Sequence, residues 1–175
     1  EMKGKYPQIL EDIKVGEEAQ KLFNDGKMLM ERLISEKWLT AKAVFGLFSA
    51  YAENETVYIK NTSFYFPRQL IDKGPDDINY SLADFIAPKG DFIGTFAVTA
   101  GHGLEKIVEA FEDEQDDYNA IMAKILADRL AEALTERLHE RVRREFWGYA
   151  PEENLENDEL IKEKYSGIRP APGYP

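Results

Sequence analysis

Apolar residues recur at steps of three and four from about Gly16 to Lys37, at Ala19, Leu22, Phe23, Leu29, Met30, Leu33 and Ile34. This spacing keeps returning side chains to one face of a 3.6-residue turn, so it predicts an amphipathic helix. After Trp38 the period changes. Ala43-Val44-Phe45-Gly46-Leu47-Phe48 is short, apolar and partly aromatic, and Thr56-Val57-Tyr58-Ile59 follows a polar Glu53-Asn54-Glu55 break. The two runs read as a hairpin, because the break is far shorter than the crossover of about a dozen residues that parallel strands need. Ala43 to Ala52 is therefore expected to pair antiparallel with Glu55 to Phe66. Pro67, which has no N–H to donate, stops the pairing or leaves it on an edge.

A Gly/Pro/Asp-rich connection around Lys73-Gly74-Pro75-Asp76-Asp77 leads to Ser81-Leu82-Ala83-Asp84-Phe85-Ile86. Asp91 to Thr99 then reads as a buried strand, with Phe92 to Thr99 inside the sheet. Leu104 to Phe111 reads as a helix. From Asp117 to about Arg144 a longer helix carries Tyr118, Met122, Leu126, Leu130, Leu134, Leu138 and Val142 at steps of four. That wide apolar face predicts burial of Leu126, Leu130, Leu134 and Leu138, with Asp128 and Glu132 beside a groove. Trp147-Gly148-Tyr149-Ala150-Pro151 breaks the helix. Asn157 to Lys164 forms a short one, capped by Asn157 or Asp158. The closing Gly167-Ile168-Arg169-Pro170-Ala171-Pro172-Gly173-Tyr174-Pro175 is too rich in proline for regular structure and reads as a stiff, extended loop.

Composition narrows what this pattern does. At 175 residues, 43% hydrophobic and 31% charged, the chain is a folded globular protein with room for one domain. The net charge of −11 repels phosphate backbones and argues against nucleic acid as a partner. Without cysteine, disulfides, thiolate nucleophiles and cysteine-ligated zinc are excluded, and the two distant histidines, His102 and His139, make no metal site alone. No apolar run is long enough to span a bilayer, and Glu1-Met2-Lys3-Gly4-Lys5 lacks a secretory apolar core, so no membrane association and a cytoplasmic setting are expected.

Four places offer chemistry. Val98-Thr99-Ala100-Gly101-His102-Gly103 runs from a strand through a glycine pair into a helix, as many nucleotide sites begin. A turn that needs positive backbone angles explains the glycines equally, and no acidic residue closes a following strand. Asp128, Glu132, Thr135 and His139, at spacings of four, three and four, form a polar stripe beside the apolar face of the long helix. Such a stripe is ordinarily solvated, yet carboxylates there suit a ligand's hydroxyl or ammonium group. Arg137, Arg141, Arg143 and Arg144 are expected to pair with Glu136, Glu140 and Glu145, or to form a docking patch for an acidic protein. In the terminal loop, the planar fork of Arg169 suits a carboxylate, and the prolines after it hold the backbone at a fixed distance from whatever the fork grips. A linker is the plainer reading of such a terminus.

The Arg169-Pro170-Ala171-Pro172-Gly173-Tyr174 run matches an Arg-x-x-x-Gly-Tyr signature. With Gly4-Lys5-Tyr6-Pro7, Leu82-Ala83-Asp84-Phe85, Ala127-Asp128-Arg129-Leu130-Ala131-Glu132-Ala133 and Trp147-Gly148-Tyr149-Ala150-Pro151 in the same order, the chain resembles the reactivation domain of cobalamin-dependent methionine synthase along nearly its whole length. The resemblance implies an α+β fold, a curved antiparallel sheet with packed helices, that binds S-adenosylmethionine in a shallow groove. It also implies a role in a methyltransferase of methionine biosynthesis: the domain caps a cobalamin-binding domain of the same enzyme and presents the methyl donor for reductive remethylation of cob(II)alamin, with the electron supplied by a protein such as flavodoxin.

Carried over from the family, Arg169 fixes the ligand's carboxylate and the backbone from Pro170 through Ala171 to Gly173 lines the groove. Tyr174 approaches the corrin face of cobalamin, and Glu132 and Glu163 match acidic positions near the ligand. No residue is assigned as catalytic or as a metal ligand. Relative to the family, residues 1–175 make one domain incomplete at both ends: an Asp-Trp-x-Pro-Phe segment precedes the Gly-Lys-Tyr-Pro motif there, and further strands and helices follow the terminal loop. The isolated 175 residues are accordingly not expected to be catalytically competent. Two alternatives stay open: a Rossmann-type methyltransferase using Gly101-His102-Gly103, which requires a mostly parallel sheet, and a non-catalytic acidic interaction domain.

Overall fold

The computed structural model describes residues 4–71, 74 and 77–170. Among them are helices α1 (Gly16–Ser35), α2 (Leu104–Asp113), α3 (Asp117–Arg141) and α4 (Asn157–Ile161), and strands β1 (Thr40–Glu53), β2 (Thr56–Ile59), β3 (Thr62–Tyr65) and β4 (Asp91–His102). The chain divides into a mainly helical unit, Glu1–Ala43 with Val98–Pro175, and a sheet unit, Val44–Ala97. The fold is α+β, as expected.

The strand order is β3-β2-β1-β4. β1 and β2 are antiparallel with Glu53 opposite Thr56 and Ala50 opposite Ile59, joined through Asn54, whose φ of 52° lies in the left-handed region that asparagine tolerates. β2 turns back at Lys60 into β3, with Ile59 opposite Thr62. The run from Glu55 to Phe66 is therefore two strands, of which only the first pairs with β1. The Phe92 to Thr99 segment, expected inside the sheet, lies on β4 at its edge. Its apolar residues are mostly half-exposed, because a strand paired along one side packs fewer neighbours against its faces.

The core of the sheet unit is small: Ala50, Val57, Ile59 and Ala83, with Phe48, Phe66, Ile86 and Ile93 packed around them. Polar closure does much of the remaining work. The Arg68 fork donates to both oxygens of Asp84 at 2.6 and 2.7 Å, to Glu55 at 3.1 Å and to the carbonyl of Asn79 at 2.7 Å. Asp84 in turn accepts from the Ser81 backbone N–H at 2.9 Å, and the buried Ser81 hydroxyl donates to the carbonyl of Phe66 at 2.7 Å. The Leu82-Ala83-Asp84-Phe85 motif is thus a capped turn of 3₁₀ helix that fixes its own loop.

In the helical unit, Leu29 and Leu33 of α1 meet Ile107, Val108 and Phe111 of α2 and Ala120, Met122 and Ala123 of α3. The alanines let backbones come close. Of the apolar row on α1, Ala19, Leu29 and Leu33 are buried, whereas Leu22, Phe23 and Ile34 are exposed, Phe23 being stacked on Tyr6 at 5.7 Å. On α3, Leu138 is buried as expected but Leu126, Leu130 and Leu134 are only half-buried. Four residues turn a helix by about 40° more than a full circle, so a row at steps of four winds around the axis and leaves a flat core. Ala120, Ala123 and Ala127, at steps of three and four, stay with it. No helix among the described residues is long and apolar enough to cross a membrane.

Candidate ligand site at the end of helix α3

The last turns of α3 carry Glu132, Glu136, His139 and then Arg143, spaced to share one face. Beyond Arg141 the backbone widens into a π turn over Val142–Phe146, with the Trp147 N–H reaching the Val142 carbonyl at 2.9 Å. The chain then doubles back, and the Ala150 N–H donates to the Arg143 carbonyl at 2.9 Å.

Arg143 has no exposed surface. Its Nε donates to Glu153 at 2.8 Å and its Nη2 at 2.5 Å, while Nη1 lies 2.7 Å from Nδ1 of His139. A guanidinium only donates, so His139 accepts through Nδ1 and is neutral. Burial, followed by the charges of Arg143 and Arg169, pushes His139 down to about 4, against the opposing pull of Glu153. The Tyr165 ring covers the Arg143 guanidinium at 4.3 Å and meets His139 edge-on at 4.9 Å. Every group in this knot has a partner.

The knot fixes the segment that delivers Arg169. α4 is capped by Glu156 and closes at Glu163, whose φ is 52°. Past Tyr165, the Tyr149 hydroxyl donates to the Ser166 carbonyl at 3.2 Å. Burial pushes the Tyr149 phenol up, which keeps that proton in place. Gly167 has φ 94°, and a Cβ there would sit 3.0 Å from the Tyr149 oxygen, so this turn needs glycine twice over. Two residues on, the Arg169 Nη2 donates to Oε1 of Glu136. The pair is half-made: Nε of Arg169 and Oε2 of Glu136 are both buried with no hydrogen-bond partner among the described residues.

The expected site residues are placed unevenly. Arg169 is mostly buried against α3, and Pro170 beside it is exposed. Glu132, one turn before Glu136, is partly exposed and paired with Arg129 at 2.8 Å; Glu163 is exposed. Ala171, Gly173 and Tyr174 lie outside the described residues. Along the polar stripe, Asp128 is exposed and His139 buried, so the stripe runs from solvent into the knot. Arg137 and Arg144 pair with Glu140, and Arg141 with Glu145, as expected, whereas Arg143 turns inward to Glu153 and Glu136 to Arg169. No three His, Cys, Asp or Glu side chains among the described residues are grouped to hold a metal.

The Gly101-His102-Gly103 turn has a structural reason. Gly103, with φ 101°, precedes the first turn of α2, and a Cβ there would fall on the Trp38 carbonyl oxygen. The antiparallel sheet removes the Rossmann alternative, which needs parallel strands.

The family model described as vitamin B12 dependent methionine synthase, activation domain, matches residues 1–175. The chain belongs to that family. Its activation-domain fold is also that of a solved structure, the MetH reactivation domain bound to AdoHcy, to which it is 50% identical with a TM-score of 0.91. That similarity covers 99% of this chain, and the chain spans 57% of the length of the solved one. For an activation domain, the motifs gain separate physical roles: Leu82 to Phe85 closes a loop, Trp147 to Pro151 reverses the chain over Arg143, and the tyrosine of that motif steadies the approach to Arg169.

Proposed function

We propose that this activation domain binds S-adenosylmethionine at the end of α3 and presents its methyl group for the reductive remethylation of cob(II)alamin. The observation that carries the reading is Arg169: a cation delivered by a braced segment, largely shielded from water, with a buried donor still open. A planar carboxylate is the partner such a fork takes best. The 50% identical MetH domain bound to AdoHcy supports a ligand of the same kind here. In this reading Arg169 grips the carboxylate. The backbone of Pro170, Ala171 and Gly173 lines the groove, Glu132 and Glu163 offer negative charge near the sulfonium, and Tyr174 faces the corrin.

The contribution of the chain is positioning rather than acid–base catalysis. Cobalamin, held by a neighbouring domain of the same enzyme, supplies the metal centre that accepts the methyl group, and a donor protein such as a flavodoxin supplies the electron. Residues 1–175 act as one domain of that larger cytoplasmic enzyme and depend on its other parts for turnover.

Calorimetric titration of S-adenosylhomocysteine into the whole enzyme tests the reading. Hydrogen bonds to charged groups contribute about 1.5 to 3 kcal/mol each, so Arg169→Ala should weaken binding at least about tenfold. Equal affinity of parent and variant would remove the site from this loop, and absence of any saturable binding would favour an acidic interaction domain.

A further inference from the structure

We infer that the outer face of the hairpin formed by β1 and β2 carries a further ligand site, a groove for a planar aromatic anion, built from Tyr51, Tyr58, Phe92 and Lys60. The groove has a volume of about 400 Å³, and all of its lining residues belong to the sheet unit. Arg169 belongs to the helical unit, so the inference does not rest on the S-adenosylmethionine reading. Strand alternation makes the walls. Ala50, Val57 and Ile59 point into the small core, so Tyr51 and Tyr58 between them point the other way. As direct partners across the two strands, their rings stack at 4.9 Å with planes 12° apart. Such a pair stabilises a hairpin on its own account. It does not account for Phe92, which lines the same groove from the start of β4 and stays exposed, as Tyr51 does. Aromatic walls standing in water are the surface that another flat ring covers best.

Charge narrows the ligand to an anion. The carboxylate in the lining, Asp91, is committed to its own loop: Oδ2 accepts from the Ala87 N–H at 2.7 Å and Oδ1 from the Phe92 N–H at 2.8 Å. The cation in the lining, Lys60, has no carboxylate partner among the described residues, in a chain with 33 acidic against 22 basic residues. Its ammonium instead stands 5.6 Å over the Phe48 ring, a contact that holds it at the groove without neutralising it. The groove therefore offers flat apolar walls and one positive charge. A lysine is a point charge and takes a carboxylate or a phosphate alike, so the site reads flatness and charge rather than the shape of the anionic group.

Ligand-observed NMR titration of the whole enzyme tests this with three probes: 2-naphthoate, its uncharged amide 2-naphthamide, and the non-planar cyclohexanecarboxylate. The parent should bind 2-naphthoate saturably and about fivefold more tightly than either of the others, the size of an exposed ion pair. Lys60→Gln, on an exposed turn, should erase the gap between 2-naphthoate and 2-naphthamide while leaving the amide unchanged. Tyr51→Leu keeps an apolar side chain and removes the ring plane, so it should weaken both naphthyl probes and leave cyclohexanecarboxylate as it was. Saturating S-adenosylhomocysteine should displace none of them. No saturable binding of 2-naphthoate overturns the inference, as does equal binding of it by the parent and Lys60→Gln. Displacement of 2-naphthoate by S-adenosylhomocysteine also overturns it, since the probe would then report the site at the end of α3.

Discussion

Arg143 and Arg169 both tie the chain's return path to the same face of α3, yet they are finished to different degrees. Arg143 is wholly enclosed, with Glu153, His139 and the ring of Tyr165 around it. Arg169 reaches Glu136 through one nitrogen and leaves another buried with no hydrogen-bond partner among the described residues. A buried charge is tolerated when it is fully paired and is costly when it is not, so the complete cluster reads as structure and the incomplete one as a place reserved for something else. The difference separates an arginine of the basic cluster at the end of α3 from the arginine of the proline-rich loop that follows.

The largest effect should come from dismantling the complete cluster. Arg143→Ala strands Glu153, itself nearly buried, without its cation. Breaking a buried pair from one side costs about 3 to 5 kcal/mol, and urea unfolding should register that loss. A loss below about 1 kcal/mol would mean that the cluster is not what fixes the segment leading to Arg169.

How far the sequence reaches is visible in these same residues. The hairpin around Asn54, the helix boundaries within a few residues, and the pairing of Arg137, Arg141 and Arg144 with their neighbours all follow from spacing and turn chemistry. The knot does not, because Glu153 and Tyr165 reach Arg143 through a reversal whose geometry depends on a π turn, and no local pattern announces one. The i, i+4 spacing of His139 and Arg143 was the available clue. The leucine row of α3 misled for a related reason: a regular step of four looks like one face in a list and is a slow spiral in space. β4 misled because an apolar run signals burial without saying whether both sides of the strand are paired.

At the incomplete cluster, the effect should fall on binding rather than on folding. Arg169→Ala should change unfolding stability by no more than about 1 kcal/mol, since the pair it removes is half-made, while affinity for S-adenosylhomocysteine falls at least about tenfold. Arg169→Lys should lose nearly as much, because an ammonium cannot reproduce the planar fork. A lysine variant that bound like the parent would show that charge alone suffices there.

His139 links the two clusters and should make stability depend on pH. Its folded value of about 4 lies below the ordinary 6.5, so between these values the unfolded chain binds a proton that the folded chain does not. The stabilisation is therefore complete above about pH 6.5 and is lost as pH falls toward 4, at up to about 1.4 kcal/mol per pH unit. Urea midpoints across that range should fall more steeply for the parent than for His139→Gln. Parallel profiles would place the histidine's proton in solvent rather than in the knot.

The smallest effect should be found at the arginines that stay outside. Glu140 accepts from Arg137 at 2.6 Å and from Arg144 at 2.9 Å, and although burial pushes its carboxyl up, those two hydrogen bonds hold it below the usual range. Arg137 is largely exposed, and its removal leaves Glu140 still bonded to Arg144. Surface pairs of this kind contribute about 0 to 1 kcal/mol, and redundancy takes this one toward the lower end. Arg137→Ala should thus shift the urea midpoint barely beyond error and leave S-adenosylhomocysteine binding untouched. The same measurement on Arg143→Ala, one turn and two residues further along the same face-switching stretch, gives the contrast its scale. Were the two variants equally destabilised, enclosure and completeness would not be what distinguishes the arginines of this helix, and the case for Arg169 as an unfinished site would lose its reference point.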